Sequence, residues 1–300
     1  MTYFLDLFLS GLTRGSIYAL IALGYTMVYG IIALINFAHG EIYMIGAFTA
    51  LLASMVLGSL GLTGWGLLLS VAVIAAIYSG MYGWTVERIA YRPLRGASRL
   101  APLISAIGMS FFLQNYVQLA QTSNFVLFPD LVPQMPFLKP ISAYLNRTQV
   151  IILLFTSVSM VGLTLFIKFT KIGMAMRAVA QDMTMARLSG VNIDRVISVT
   201  FIIGSVLAAL GGVLIGCSMR QIYFYMGFLA GMKAFTAAVL GGIGSIPGAV
   251  IGALILGFAE SFAAGYISSS YRDVVAFIIL IIILIFRPEG IMGQAQTQKV

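Results

Sequence analysis

Between Gly15 and Val86 the chain carries no ionisable side chain apart from tyrosines, except at two positions two residues apart, His39 and Glu41. Only 9% of all 300 residues are charged, where a soluble domain carries about a quarter. Mean hydropathy is +1.03. The apolar runs repeatedly reach the ~20 residues a helix needs to cross a bilayer. In lipid every backbone N–H and C=O must be satisfied internally, which leaves helices or a closed barrel, and these runs lack the alternation of barrel strands. The sequence therefore predicts an all-α, polytopic transmembrane helix bundle of about eight spans, within a range of seven to ten, formed by a single domain over 1–300.

Apolar runs place spans near 15–35, 41–60, 65–86, 102–122, 148–168, 196–217 and 273–287. Arginine sets their direction. The loops 87–101 ("ERIAYRPLRGASR" at its start) and 169–195 are basic, so both are expected in the cytoplasm. The loop 123–147 holds four prolines and few positive charges and reads as outward. The net charge of +8 is thus explained by loop placement and gives no reason to expect nucleic acid as a partner. No basic residue precedes the first apolar run, which argues against a cleaved signal. The lone Cys217 excludes an intrachain disulfide.

Residues 231–264 hold Gly241, Gly242, Gly244, Pro247 and Gly248 in their middle. Glycine and proline interrupt helices. One reading makes 231–241 and 248–264 the half-helices of a re-entrant hairpin. The other makes them ordinary spans with a glycine-packed interface.

His39 and Glu41 spell H-x-E without the P-C-x-x-C that completes a zinc deaminase site, so no metal is expected. Asn36, His39, Gly40, Tyr43 and Gly46 would form one polar and small stripe along a helix, with Glu41 on a neighbouring face. Ionisable groups within a membrane are functional or paired, whereas at its interface they merely cap helices, and both readings fit this turn. Asn36, His39, Glu41, Tyr43, Gly244 and Ser245 are the candidate pathway residues. Ser245 with His39 could also be an intramembrane serine protease pair, although nothing supplies a third group. A relay of His39, Glu41 and Glu260 would make an ion-coupled carrier. Lys233 and Glu260 could pair with each other, with Arg272 or Asp273, or cap the half-helices. No catalytic residue is assigned: the nine acidic residues are scattered, and no G-x-x-x-x-G-K-[ST] cradles a nucleotide. Segment 170–195 is basic yet apolar at Val179, Met183, Met185, Ala186 and Leu188, and breaks at Gly190 and Asn192. It reads either as a partner contact or as an amphipathic helix on the membrane surface.

"ALGYTMVYGIIALINFAHGEIYMIGAF", "ERIAYRPLR", "LISAIGMSFFLQNYV" and "GFLAGMKAFTAAVLGGIGSIPGAVIGALILGFAES" closely resemble the permease subunits of bacterial ABC importers for branched-chain amino acids, from about residue 10 to "RPEGIMG" at 287–293. The resemblance implies a multi-pass protein of the inner membrane that is not itself an enzyme. It would pass leucine, isoleucine or valine beside a second homologous permease. Two cytoplasmic ATPase subunits would bind ATP and Mg²⁺, leaving no cofactor in this chain, and a periplasmic amino-acid-binding protein would deliver the cargo. Segment 170–195 would then couple to the ATPases through Asp182, Ala186, Arg187 and Gly190. "TMARLSG" keeps only Ala186 and Gly190 of the E-A-A-x-x-x-G pattern of such permeases.

Overall fold

A computed structural model describes residues 2–98, 100–135, 145–287 and 289–293. The expected outward loop 123–147 and the C-terminal tail thus lie partly outside the described residues. The long helices are α1 (Thr2–Ile32), α2 (His39–Ser59), α3 (Gly64–Val86), α4 (Leu100–Ala120), α5 (Arg147–Phe169), α8 (Ile193–Met219) and α10 (Ile246–Tyr266). Shorter ones are α6 (Lys171–Gln181), α7 (Met183–Leu188), α9 (Met226–Gly241) and α11 (Arg272–Phe286). Eight helical stretches among the described residues are long and apolar enough to cross a membrane, and α9 is a shorter apolar helix of 16 residues.

Helix α1 begins well before the predicted span because Asp6 and Arg14 do not end it; its 31 residues extend about 46 Å. It packs tightly on α10 through small residues. A Cβ on Gly15 would sit 2.8 Å from the Leu254 Cα, and one on Gly11 would sit 2.7 Å from the Phe258 ring. Without a hydrophobic drive between helices in lipid, such close backbone approach supplies the association. We expect Gly15→Val to force α1 from α10 and cost about 1–3 kcal/mol, read as a lower midpoint of thermal unfolding in detergent.

The interruption near 241–248 falls where the sequence placed it, and of the two flanking helices α9, with 16 residues, is shorter than a full span. Helix α10 has 21 residues, enough for a full span. The turn 242–245 lies beside Tyr29–Ala33 at the end of α1 and beside Ile167 at the end of α5. Gly242 takes φ +104°, which favours glycine. The last described residues fold back onto it: the Ile291 and Met292 N–H groups donate to the Leu240 and Gly241 carbonyls, each at 2.9 Å. These bonds satisfy carbonyls that the end of α9 would leave bare.

The arginine-rich end of the bundle is held by ions. Buried Glu87 accepts from Arg95 and from Ser198 Oγ (2.7 Å), and Asp194 is shared by Arg92 (2.6 Å) and Arg95. At the opposite end Val126–Leu127 pairs antiparallel with Gln221–Ile222. Asp130 there binds Arg220 at 2.7 Å and also Arg147. Burial works to raise the Asp130 pKa, but the Arg220 hydrogen bond, the Val132 N–H and the two guanidinium charges outweigh it and hold it below the usual carboxylate value. The stability from this clamp is therefore present above the unfolded-state pKa and is lost as pH falls through the depressed native one. Acidification below about pH 4 should speed hydrogen exchange around 126–132, whereas Asp130→Asn should show fast exchange at neutral pH and little further change.

Candidate functional site

Helix α1 ends at Ile32, Ala33 takes φ +51°, and the chain turns back alongside the helix it has just left. When α2 begins, it is deep in the bundle. His39 Nε2 lies 3.2 Å from the Ile21 carbonyl, eleven residues or about 16 Å before the end of α1. A carbonyl only accepts, so Nε2 donates. The imidazole stands edge-on to Tyr25, centroids 4.8 Å apart, in space that a side chain at Gly24 would fill.

Glu41 is wholly buried. Its Oε1 accepts from Ser110 Oγ at 3.0 Å, at the midpoint of α4. Its Oε2 has no hydrogen-bond partner among the described residues. Asn36 precedes α2, so it does not continue the helical stripe. Its Oδ1 accepts from the Tyr91 hydroxyl at 3.0 Å, while its Nδ2 is unpartnered among the described residues. The rest of the stripe makes close helix packing. Gly40 meets Gly227 and Gly231 of α9, Tyr43 covers Gly211 and Gly212 of α8, and Gly46 meets Ala209. His39 and Glu41 therefore sit within the bundle, away from its ends.

Gly244 and Ser245 lie elsewhere. They line a cleft of about 730 Å³ at the arginine-rich end, together with Arg177, Gln181 and Asp182. Ser245 Oγ accepts from the Gly248 N–H at 3.2 Å as the N-cap of α10. His39 bonds to Ile21, so the protease pair is not assembled. The three groups of the conceivable relay are likewise separate, since Glu260 is bound to Lys233 and Tyr18.

Asp182 caps α7, its Oδ1 accepting from the Thr184 and Met185 N–H groups at 2.8 and 3.0 Å. Ala186 is buried and Arg187 exposed. Gly190, at φ +83°, closes α7, and the Val191 N–H reaches the Ala186 carbonyl at 3.0 Å. Asn192 begins the next helix instead of ending this one, its Oδ1 accepting from the Arg195 N–H. Helix α6 turns Met176 and Val179 into the bundle, and α7 leaves Met185 and Leu188 exposed.

A third ionic group lies between α1, α9, α10 and α11. Lys233 Nζ is 2.9 Å from Glu260 Oε1 and 2.6 Å from Asp273 Oδ1, and the Tyr18 hydroxyl donates to Glu260 Oε2 at 2.8 Å. Both pairings of Lys233 were among those the sequence allowed. Ser110, Gln114, Tyr91 and Tyr18 were not singled out, because each meets its partner through tertiary packing; the polar positions in "LISAIGMSFFLQNYV" were the available signal for the first two.

The family described as "Branched-chain amino acid transport system / permease component" matches residues 7–284. The chain belongs to this permease family. It is 51% identical over 302 residues to the high-affinity branched-chain amino acid transport system permease protein LivH of Escherichia coli K12, covering 99% of this chain and 98% of the relative. It is 50% identical, at the same coverage, to BraD of Pseudomonas aeruginosa, described in the same words. A probable branched-chain amino acid transport permease protein LivH of Methanocaldococcus jannaschii is 27% identical, covering 91% of this chain and 88% of that one. This permease is accordingly a multi-pass inner-membrane component of a transport system.

Proposed function

We propose that the chain forms half of the membrane conduit of an ATP-driven importer and passes leucine, isoleucine or valine. A periplasmic binding protein delivers the amino acid on one side, a second related permease lies alongside in the lipid, and two ATPase subunits dock on the other side. Similarity along nearly the whole chain to permeases of branched-chain amino acid systems carries this reading. The arginine-rich end faces the cytoplasm by the positive-inside bias. Exposed Met185 and Leu188 of α7 stand there beside the cleft lined by Asp182, Gly244 and Ser245, so a motor pressing on α7 acts next to the inner mouth. ATP and Mg²⁺ belong to the motor chains. Asn36 and Glu41 supply polar atoms midway, and His39 and Tyr43 hold α2 in place. Buried apolar walls with few polar groups suit a neutral zwitterion with a greasy side chain, and strong selectivity then rests with the binding protein.

The test is purification from native membranes by a tag on this chain. Nucleotide-binding subunits should copurify in equal number to the permeases. Uptake driven by the tagged chain alone under a pH gradient would overturn the reading.

A further inference from the structure

Segment 170–195 folds as two helices, and only the second, α7, presents the exposed Met185 and Leu188 assigned to the motor. The first, α6, borders a pocket of about 340 Å³ against the start of α8. Two cations line it. Lys171 is the first residue of α6 and Arg195 the third of α8, and both are exposed. Neither side chain has an ion-pair partner among the described residues; Asp194, the acid next to Arg195, is held by Arg92 and Arg95. Both helices begin here. Thr170 caps α6 by accepting from the Gly173 N–H at 3.0 Å, and Asn192 caps α8 by accepting from the Arg195 N–H. A helix N-terminus carries partial positive charge and free N–H donors, so two such ends add to the two full charges.

The rest of the lining is apolar, with Ile172 and Ala175 from α6 and Val196 and Val199 from α8. This floor continues outward along α8, where Val199 and Ile203, four residues apart on one face, are half-buried. Helix α8 has 27 residues and extends about 40 Å, about 10 Å more than the hydrocarbon core. Its first turn, with Arg195, therefore stands at headgroup level, and Val199 lies one turn deeper. A free phosphate or an acidic side chain would leave the apolar floor wet. A neutral lipid would cover the floor and leave both cations bare. A phospholipid with net negative charge meets both needs, and the cytoplasmic leaflet, which this end faces, carries a negative surface potential.

We propose that an anionic phospholipid of the inner leaflet binds in this pocket. Its phosphate sits between Lys171 and Arg195, and one acyl chain lies over Ile172, Val196 and Val199. The lipid bridges α6, which leads directly into α7, to the span α8. The site does not depend on the cargo, so its failure would leave the importer reading intact.

The permease, purified in mild detergent, is titrated with phosphatidylglycerol or phosphatidylcholine, and bound lipid is counted by native mass spectrometry. One phosphatidylglycerol should be held more tightly than phosphatidylcholine. Lys171→Gln/Arg195→Gln should weaken it about 30-fold, the share of two interfacial cations. Both side chains are exposed, so the unfolding midpoint should not move. Lys171→Arg/Arg195→Lys, which keeps both charges, should retain the lipid. Equal retention of the two lipids, or undiminished phosphatidylglycerol on the double glutamine variant, overturns the site. Its place is read on the complete complex in phosphatidylglycerol-containing vesicles, with p-benzoylphenylalanine substituted for Ile172. Irradiation should attach phospholipid to the peptide carrying position 172, and the double glutamine substitution should reduce that attachment. Lipid attached equally in both backgrounds is bulk lipid and overturns the proposal. Attachment to another protein chain instead of lipid shows that a partner fills the pocket and overturns it as well.

Discussion

Replacing Lys233 by methionine should cost about 3–5 kcal/mol of stability, the penalty for leaving a buried charge without its partner. Lys233 and Glu260 are nearly excluded from solvent, with side-chain exposures of 9% and 0%, so salt and water do little to screen them. The ammonium lies between two carboxylates on α10 and α11, while Glu260 is tied by Tyr18 to α1. Removing Lys233 leaves buried Glu260 with the Tyr18 hydroxyl as its hydrogen-bond partner among the described residues. Glu260→Leu should be damaging for the mirror reason, though less so because Asp273 still holds Lys233. The double variant Lys233→Met/Glu260→Leu should recover much of the loss, since apolar residues often replace a buried ion pair at little cost. Unfolding midpoints of the four proteins in one detergent form the cycle. Additive losses would mean that the pair is not coupled.

The second large effect is on transport alone. Leu188→Asp in α7 should reduce ATP-driven uptake by about 30-fold or more, the scale of an interface hot spot of about 2 kcal/mol. Leu188 is 77% exposed and Met185 is 61% exposed, so neither supports the fold. The helix itself is fixed from both ends, by the Asp182 cap and by the positive-φ turn at Gly190. The unfolding midpoint of the permease should stay unchanged while the ATPase subunits no longer copurify. An unchanged rate of uptake would show that the motor does not rest on α7.

Much of this fold was legible because in lipid a span announces itself by length and apolarity, and the arginines at 88, 92, 95 and 99 mark an end. What was not legible depends on depth and on distant contacts. Asn36 and His39 read as parts of one turn between spans, yet the chain climbs back along α1 first, and no local signal states how far a helix overshoots. The expected stripe began at Asn36, which lies before α2; its members from His39 to Gly46 share that helix. Its use as a packing surface for α1, α8 and α9 depends on glycines at 24, 212 and 227, far away in sequence. Glu41 finds Ser110 across 69 positions, a pairing that periodicity within either helix cannot indicate. The glycine turn near 242 was placed correctly, but the lengths of α9 and α10 were underestimated because small residues weaken an apolar run without ending a helix that is packed on its neighbours.

Leucine uptake into proteoliposomes, measured with and without the ATPase subunits, tests the central claim most directly. With the binding protein outside and ATP available to the motor, the whole complex should accumulate leucine, and the permeases alone should accumulate none. Accumulation by the permeases without the motor would contradict this account.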